Sequence, residues 1–188
     1  MNLSKSYTVL FFALVMFLVG YALLLLAVPL MGFGWHLLHG SLIVYDGWRI
    51  PVPKGFYVSG SPEKPTMWRH SLGVPLLKEP FGMIDVSPLP SGAVFRFGSD
   101  LEESSRRMIW VAQQEGLVLR SNRMVPTSAG NAFCFEFSKS NGQSDITVRC
   151  AIDGTPLLVI YGGDKRFLNE FYSTVRGLSP TGGVLPTR

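Results

Sequence analysis

A long apolar run dominates the first part of the chain. The stretch from Ser6 to Trp35 carries no charge, and its centre, Tyr7 to Met31, is nearly all Leu, Val, Phe, Ala and Met. A helix rises about 1.5 Å per residue, so roughly 20 apolar residues cross a bilayer's hydrocarbon layer. The run is longer than the apolar region of a cleaved signal peptide, roughly 7–15 residues. The pattern therefore predicts a transmembrane anchor over residues 7–35, after a short tail at residues 1–6.

Beyond residue 36 the hydrophobic pattern alternates between strands and helices. Leu101, Met108, Ile109 and Ala112 share one face of a predicted helix. The run from Leu157 to Tyr161 is apolar throughout, which indicates a central strand covered on both faces. The predicted order is a hairpin of Leu42–Tyr45 with Trp48–Val52, an irregular section over Lys54–Glu79 with a strand near Met67–His70, a strand over Phe81–Pro88, a helix that Gly116 ends, a strand over Leu117–Val125, a hairpin that carries both cysteines, the strand Leu157–Tyr161 and a closing helix over Asp164–Val175.

This order predicts an α+β fold, an antiparallel sheet of five to seven strands with two main helices packed on it. The anchor would lead into a connector and first strand at residues 36–47. One domain would follow at residues 48–179, and a disordered tail would occupy residues 180–188.

The two cysteines, Cys134 and Cys150, lie on the two strands of one predicted hairpin. A two-residue Asn141-Gly142 turn would place Cys134 opposite Arg149, with Cys150 on the other face of the sheet. An odd loop centred on Gly142 would place the two cysteines directly opposite each other, where a disulfide can form. We expect the bridge, which requires an oxidising compartment and so an extracytoplasmic domain. The alternative is two buried free thiols.

The charge of the chain bears on its partners. The net charge is +4, from 17 Lys and Arg against 13 Asp and Glu, and the charges are interspersed. Nucleic-acid-binding domains usually concentrate basic residues on one face. We therefore expect no nucleic acid partner; the expected partners are the lipid bilayer and another envelope protein.

One segment resembles a known family. The sequence Trp48-x-Ile50-Pro51-x-Pro53-x-Gly55-Phe56 is similar to the W-x-(I/V)-P-x-P-x-G-W opening of the PsbP-like superfamily, which includes PsbP and DcrB-like domains. The middle helix, the strand meander and the closing helix fit the same pattern over roughly residues 48–179. The resemblance implies an α+β domain that acts in binding or assembly rather than catalysis, with no catalytic set to carry over.

Aromatic residues are the candidates for a ligand or partner surface. Trp48, Phe56, Tyr57 and Trp68 form the predicted surface, and Trp110 is a fifth aromatic that could contribute. The competing interpretation is that these side chains belong to the core.

No catalytic motif is present, and we expect no cofactor or metal. His36 and His39 have a spacing that a metal could use, but two polar residues at the end of the apolar run are the favoured interpretation. The main hypothesis is therefore a membrane-anchored, extracytoplasmic, non-catalytic binding or assembly module of an envelope complex. The alternatives are a hydrolase that uses the carboxylates of Asp85 and Glu136, or a small-ligand binding module on the aromatic face.

Overall fold

Two antiparallel β-sheets and three α-helices make up the described part of the chain. The computed structural model describes residues 3–60, 65–70, 81–88, 94, 97–139 and 145–182. In chain order the elements are α1 (Leu3–His39), β1 (Leu42–Tyr45), β2 (Trp48–Pro51), β3 (Tyr57–Ser59), β4 (Thr66–His70), β5 (Phe81–Pro88), α2 (Phe97–Gln114), β6 (Leu117–Thr127), β7 (Gly130–Lys139), β8 (Asp145–Ile152), β9 (Leu157–Asp164), a 3₁₀ helix (Lys165–Phe167), α3 (Leu168–Arg176) and β10 (Ser179–Pro180).

The larger sheet has seven strands in the order β3-β4-β5-β9-β8-β7-β6. Every neighbouring pair is antiparallel, and β6 to β9 form a continuous meander. β9 lies at the centre of the sheet, as its apolar run predicts. One of its faces is fully buried through Leu157, Val159 and Tyr161, whereas Leu158 and Ile160 on the other face are half-buried. The predicted α+β class and the antiparallel sheet are therefore confirmed.

The first hairpin belongs to a separate sheet. β1 pairs with β2 as the sequence predicts, and β10 adds a third strand on the other side of β2. This small sheet buries Trp48 and Ile50, and Gly177 after α3 approaches Pro51 closely. The sequence did not predict this second sheet, because β10 has only two residues and pairs with a strand far away in the chain.

The seven-stranded sheet separates two hydrophobic clusters. The larger cluster joins the small sheet, α3 and one sheet face, and it includes both cysteines, Tyr161 and Phe171. The smaller cluster lies on the opposite face beneath α2. Its buried members are Met108, Ala112, Leu117, Phe135, Phe137 and Ala151.

The predicted transmembrane anchor over residues 7–35 is contradicted. Among the residues that the structure describes, none of the helices combines the length and the apolar character that a membrane crossing requires. Helix α1 continues to His39, beyond the predicted end of the anchor, and some of its last residues pack on the rest of the domain. Gly32 is buried against the backbone of Gly55, and Trp35 is half-buried against the larger cluster.

Two further predictions need correction. The section predicted as irregular contains β3 as well as the expected strand near Met67, and residues 61–64 and 71–79 of that section lie outside the described part. The tail predicted from residue 180 begins too early, because Pro180 is in β10 and the backbone N–H of Thr181 donates to the Gly47 carbonyl at 2.8 Å. Residues 183–188 lie outside the described part.

Candidate functional site

Helix α2 places one tryptophan directly opposite its buried face. Met108 and Ala112 are four residues apart and pack on the sheet, with Ile109 beside them. Each residue turns a helix by about 100°, so Trp110 projects on the other side, away from the sheet. Its side chain is 61% exposed. Tryptophan is one of the residue types enriched among the residues that dominate binding at protein interfaces.

Charged side chains surround Trp110. Glu103, Arg106, Arg107 and Trp110 line an open concavity of about 460 Å³. We call these four residues, together with Glu102, the outer stripe of α2. The four charged residues lie three, four, seven and eight positions before Trp110, spacings that place side chains on one side of a helix.

Two ion pairs run along the outer stripe. Nη2 of Arg107 lies 2.5 Å from Oε1 of Glu103, and Nη2 of Arg106 lies 3.8 Å from Oε1 of Glu102. All four side chains are exposed. Exposed pairs at this helical spacing contribute only about 0.3–0.5 kcal/mol each. A partner could therefore engage these charges at little cost to the helix.

A smaller crevice lies between α2 and the edge of the sheet. It has a volume of about 220 Å³ and includes Met124, which is largely exposed. The crevice borders α2 through Ser105, and its sheet side combines apolar residues with Asn122 and Arg123. Its lining residues are Ser105, Asn122, Arg123, Met124, Phe133, Cys134 and Phe135.

The aromatic surface predicted from the sequence is only partly assembled. Trp48 and Phe56 are 1% and 0% exposed and belong to the larger cluster. Tyr57 and Trp68 pair directly across β3 and β4 and are half-buried on one sheet face. The most exposed of the five candidate aromatics is Trp110. The helical spacing of Met108 and Ala112 already carried this signal, since it assigns position 110 to the polar face.

The carboxylates of Asp85 and Glu136 do not form a pair. Asp85 aligns with Ile160 of β9, which aligns with Arg149 of β8. Glu136 aligns with Val148, the residue before Arg149 on β8. Because successive residues of a strand point to opposite faces, Asp85 and Glu136 lie on opposite faces of the sheet. Two strands separate β5 from β7, which puts their backbones about 14 Å apart. This geometry excludes the paired-carboxylate hydrolase, whose two groups must meet across one cleft.

Each carboxylate instead has a local partner. Asp85 accepts a hydrogen bond of 2.9 Å from the hydroxyl of Thr66 on the neighbouring strand. Glu136 accepts a hydrogen bond of 2.6 Å from the hydroxyl of Tyr172, and Nη2 of Arg123 lies 2.6 Å from the same oxygen. Burial and the hydrogen bond to Glu136 raise the pKa of the Tyr172 phenol above its ordinary value, so the phenol stays a donor. These contacts connect β6, β7 and α3.

The two histidines at the end of α1 make backbone contacts. Nδ1 and Nε2 of His36 each lie 3.0 Å from a carbonyl oxygen, those of Gly40 and Pro53. Nδ1 of His39 lies 3.2 Å from the carbonyl oxygen of Trp35. Within the described residues, no three His, Cys, Asp or Glu side chains are grouped closely enough to hold a metal ion. The contacts of His36 join the end of α1 to the segment before β3.

The cysteine register agrees with the odd-loop prediction. Cys134 pairs directly with Cys150 across β7 and β8, and their sulfur atoms lie 2.01 Å apart, a disulfide bond. Both side chains are fully buried in the larger cluster. The Asn141-Gly142 turn lies outside the described residues, so the register confirms only the alignment of the strands.

Among known proteins, the comparisons find similarity only to solved structures. No protein-family model matches the chain, and no curated protein matches it. The structure is similar to the solution structure of cyanobacterial PsbP (CyanoP) from Synechocystis sp. PCC 6803, with a TM-score of 0.41 and 13% sequence identity. The match covers 74% of this chain and 92% of that chain. A likeness of this degree carries no argument about function, and membership of the PsbP-like superfamily stays a prediction from the sequence.

Proposed function

We propose that this protein is a non-catalytic binding or assembly module of an extracytoplasmic envelope complex, and that it docks another protein on the outer stripe of α2. The observation that carries the proposal is the exposed Trp110, with Arg106 and Arg107 one turn before it on the same helix face. Trp and Arg are the residue types that most often dominate the binding energy of protein interfaces.

The architecture of the outer stripe supports a protein as its occupant. The stripe joins one large aromatic side chain with four charged ones on a regular helix, a surface that another helix or an extended segment can cover. The concavity around Trp110 is open and has charged walls, whereas small-molecule sites are mostly enclosed and apolar. The stripe thus fits a protein partner better than a small ligand.

The disulfide supports an extracytoplasmic location. Cys134 and Cys150 are bonded in the core, and such bonds persist mainly in oxidising environments outside the cytoplasm. A partner would then be a protein of the same compartment.

Site-specific photo-crosslinking tests the proposal. A photoreactive phenylalanine derivative replaces Trp110 in the full chain, in the cells that produce the protein. The matched control carries the same derivative at Val44 in β1, which is 65% exposed against 61% for Trp110. We expect a discrete crosslinked product from position 110 that mass spectrometry identifies as one protein, and none from position 44.

A second variant shows whether the stripe itself is responsible. The double substitution Arg106→Glu and Arg107→Glu, combined with the photoreactive residue at position 110, should reduce the product at least about tenfold, because both cations beside the tryptophan are reversed. Equal crosslinking from positions 110 and 44, or a product that the reversed charges leave unchanged, would contradict the proposal.

A further inference from the structure

We propose that the protein docked on the outer stripe of α2 is a second copy of this chain, with the two α2 helices antiparallel about a two-fold axis. This inference rests on the proposed function, since it names the partner of the same surface. A two-fold contact requires a surface that is complementary to itself. The outer stripe meets this requirement through the order of its charges.

The charges of the stripe change sign at its middle. Glu102 and Glu103 precede the midpoint between residues 104 and 105, and Arg106 and Arg107 follow it. In an antiparallel pair centred there, Glu103 faces Arg107 of the second copy on one side of the contact. On the other side, Glu102 faces Arg106 of the second copy. The two-fold axis repeats both pairs, so all four charges of each helix meet an opposite charge.

Other arrangements of two such helices lose this complementarity. In a parallel pair, each residue faces its own counterpart, which brings Glu against Glu and Arg against Arg. Like charges placed together across an interface oppose association. The charge order therefore selects the antiparallel orientation and fixes the register.

The tryptophans would anchor the two ends of the contact. Trp110 lies five to six residues beyond the midpoint, which corresponds to about 8 Å along the helix. It would therefore cover the first turn of α2 in the second copy, and the symmetry would place the other tryptophan at the opposite end. Tryptophan and arginine are both enriched among the residues that dominate the binding energy of protein interfaces.

The existing contacts within each helix do not prevent this exchange. Each glutamate already has an arginine four residues later, and both pairs are exposed to solvent. On docking, each glutamate also gains the second copy's counterpart of its own arginine partner, Arg107 for Glu103 and Arg106 for Glu102. Since long-range interactions between exposed charges are screened by salt, the association should weaken as ionic strength rises.

A charge-reversal experiment on the full chain tests the inference. Two differently tagged copies are mixed in a mild detergent, which keeps the exposed apolar side chains of α1 dispersed, and co-purification is measured. The wild-type chain should associate with itself. The pair Glu102→Lys and Glu103→Lys, or the pair Arg106→Glu and Arg107→Glu, should each lower self-association at least about tenfold, because each variant presents one sign only.

Mixing the two variants provides the decisive result. The Glu102→Lys and Glu103→Lys variant has four positive stripe residues, and the Arg106→Glu and Arg107→Glu variant has four negative ones. These two variants should associate with each other at least as well as the wild type does with itself, because every facing pair is then opposite in charge. Circular dichroism should show unchanged helix content in each variant. Self-association that both reversals leave intact would show a contact elsewhere, such as along α1, and would overturn the inference. Failure of the mixed pair to associate would overturn it as well.

The same experiments separate this inference from the proposed function. If the purified chain does not associate through α2, and position 110 crosslinks in cells to a different protein, the inference of a second copy is wrong and the proposed docking surface is retained. If position 110 crosslinks to nothing in either setting, both are wrong.

Discussion

The hydroxyl of Tyr172 on α3 donates a hydrogen bond of 2.6 Å to Oε1 of Glu136 on β7. The guanidinium of Arg123 on β6 lies 4.7 Å from the centre of the Tyr172 ring and forms an ion pair with the same carboxylate oxygen. Glu136 is therefore held by an aromatic donor from the helix and by a cation from the neighbouring strand. The three residues fasten α3 to the outer strands of the seven-stranded sheet.

Removing this hydroxyl should destabilise the protein. Tyr172→Phe keeps the buried ring and deletes the donor, which leaves Glu136 with Arg123 and one fewer hydrogen bond. Hydrogen bonds to charged groups contribute roughly 1.5–3 kcal/mol, so we expect a loss near the lower end of that range in urea unfolding. Tyr57→Phe is the control, because the structure shows no hydrogen bond from the Tyr57 hydroxyl to a described residue. An equal loss in both variants would mean that the bond to Glu136 contributes nothing specific.

Local patterns predicted the elements that have a clear period. The helical spacing of Met108 and Ala112 placed α2, and the uninterrupted run at Leu157 placed the central strand. The direct alignment of the two cysteines followed from assuming that the hairpin loop has an odd number of residues. Each of these features depends on residues close together in the chain.

Features that depend on distant pairing were not predictable. Whether Asp85 and Glu136 share a face depends on the register of three strand pairs, β5 with β9, β9 with β8 and β8 with β7. None of these registers can be deduced from the sequence. A bulge between Leu119 and Ser121 also shifts the register of β6. The exposed Trp110 could be read from one helix alone, whereas the burial of Trp48 and Phe56 needed the second sheet and α3 to be known.

The acid side of the stability profile should depend on Asp164. Its carboxylate accepts hydrogen bonds from the side chain and the backbone N–H of Arg166. The side-chain bond, followed by the backbone bond, lowers the pKa of Asp164 below its ordinary value of 3.8. A group with a lowered pKa stabilises the fold at pH values above its unfolded pKa, and the contribution disappears as the pH falls through its folded pKa.

Asp164→Asn should therefore remove part of this pH dependence. Denaturant unfolding measured from neutral pH into the acid range should show a smaller loss of stability than in the wild type. Arg166→Met should reproduce most of the effect, since the side-chain bond is the larger cause. Parallel pH profiles for the wild type and both variants would contradict the assignment.

The Cys134–Cys150 bridge should make a large contribution to stability. The cysteines are 16 residues apart, and closing a loop of that length constrains the unfolded chain by about 3 kcal/mol. The double substitution Cys134→Ala and Cys150→Ala should lower the free energy of unfolding by about that amount. Reduction of the wild type in denaturant should have a similar effect.

Thiol counting shows whether the bridge is present in the native protein. The chain is alkylated in denaturant with and without prior reduction, and the product is weighed. We expect two labels after reduction and none before it. Two labels without reduction would contradict the bridge and would remove the support for an oxidising compartment.

Two glycines on α1 should respond in opposite directions to the same change. A Cβ atom at Gly32 would lie 2.8 Å from the carbonyl oxygen of Gly55, a backbone atom that cannot easily move away, whereas a Cβ atom at Gly34 meets nothing within 4 Å. Gly32→Ala should therefore separate the end of α1 from the domain and lower the melting temperature. Gly34→Ala should raise stability by up to about 1 kcal/mol, because alanine is the better helix former.

Hydrogen exchange should show faster exchange of the Phe56 N–H in Gly32→Ala alone, since that segment is held against α1. Equal stabilisation by the two substitutions would mean that the end of α1 does not rest on Gly55.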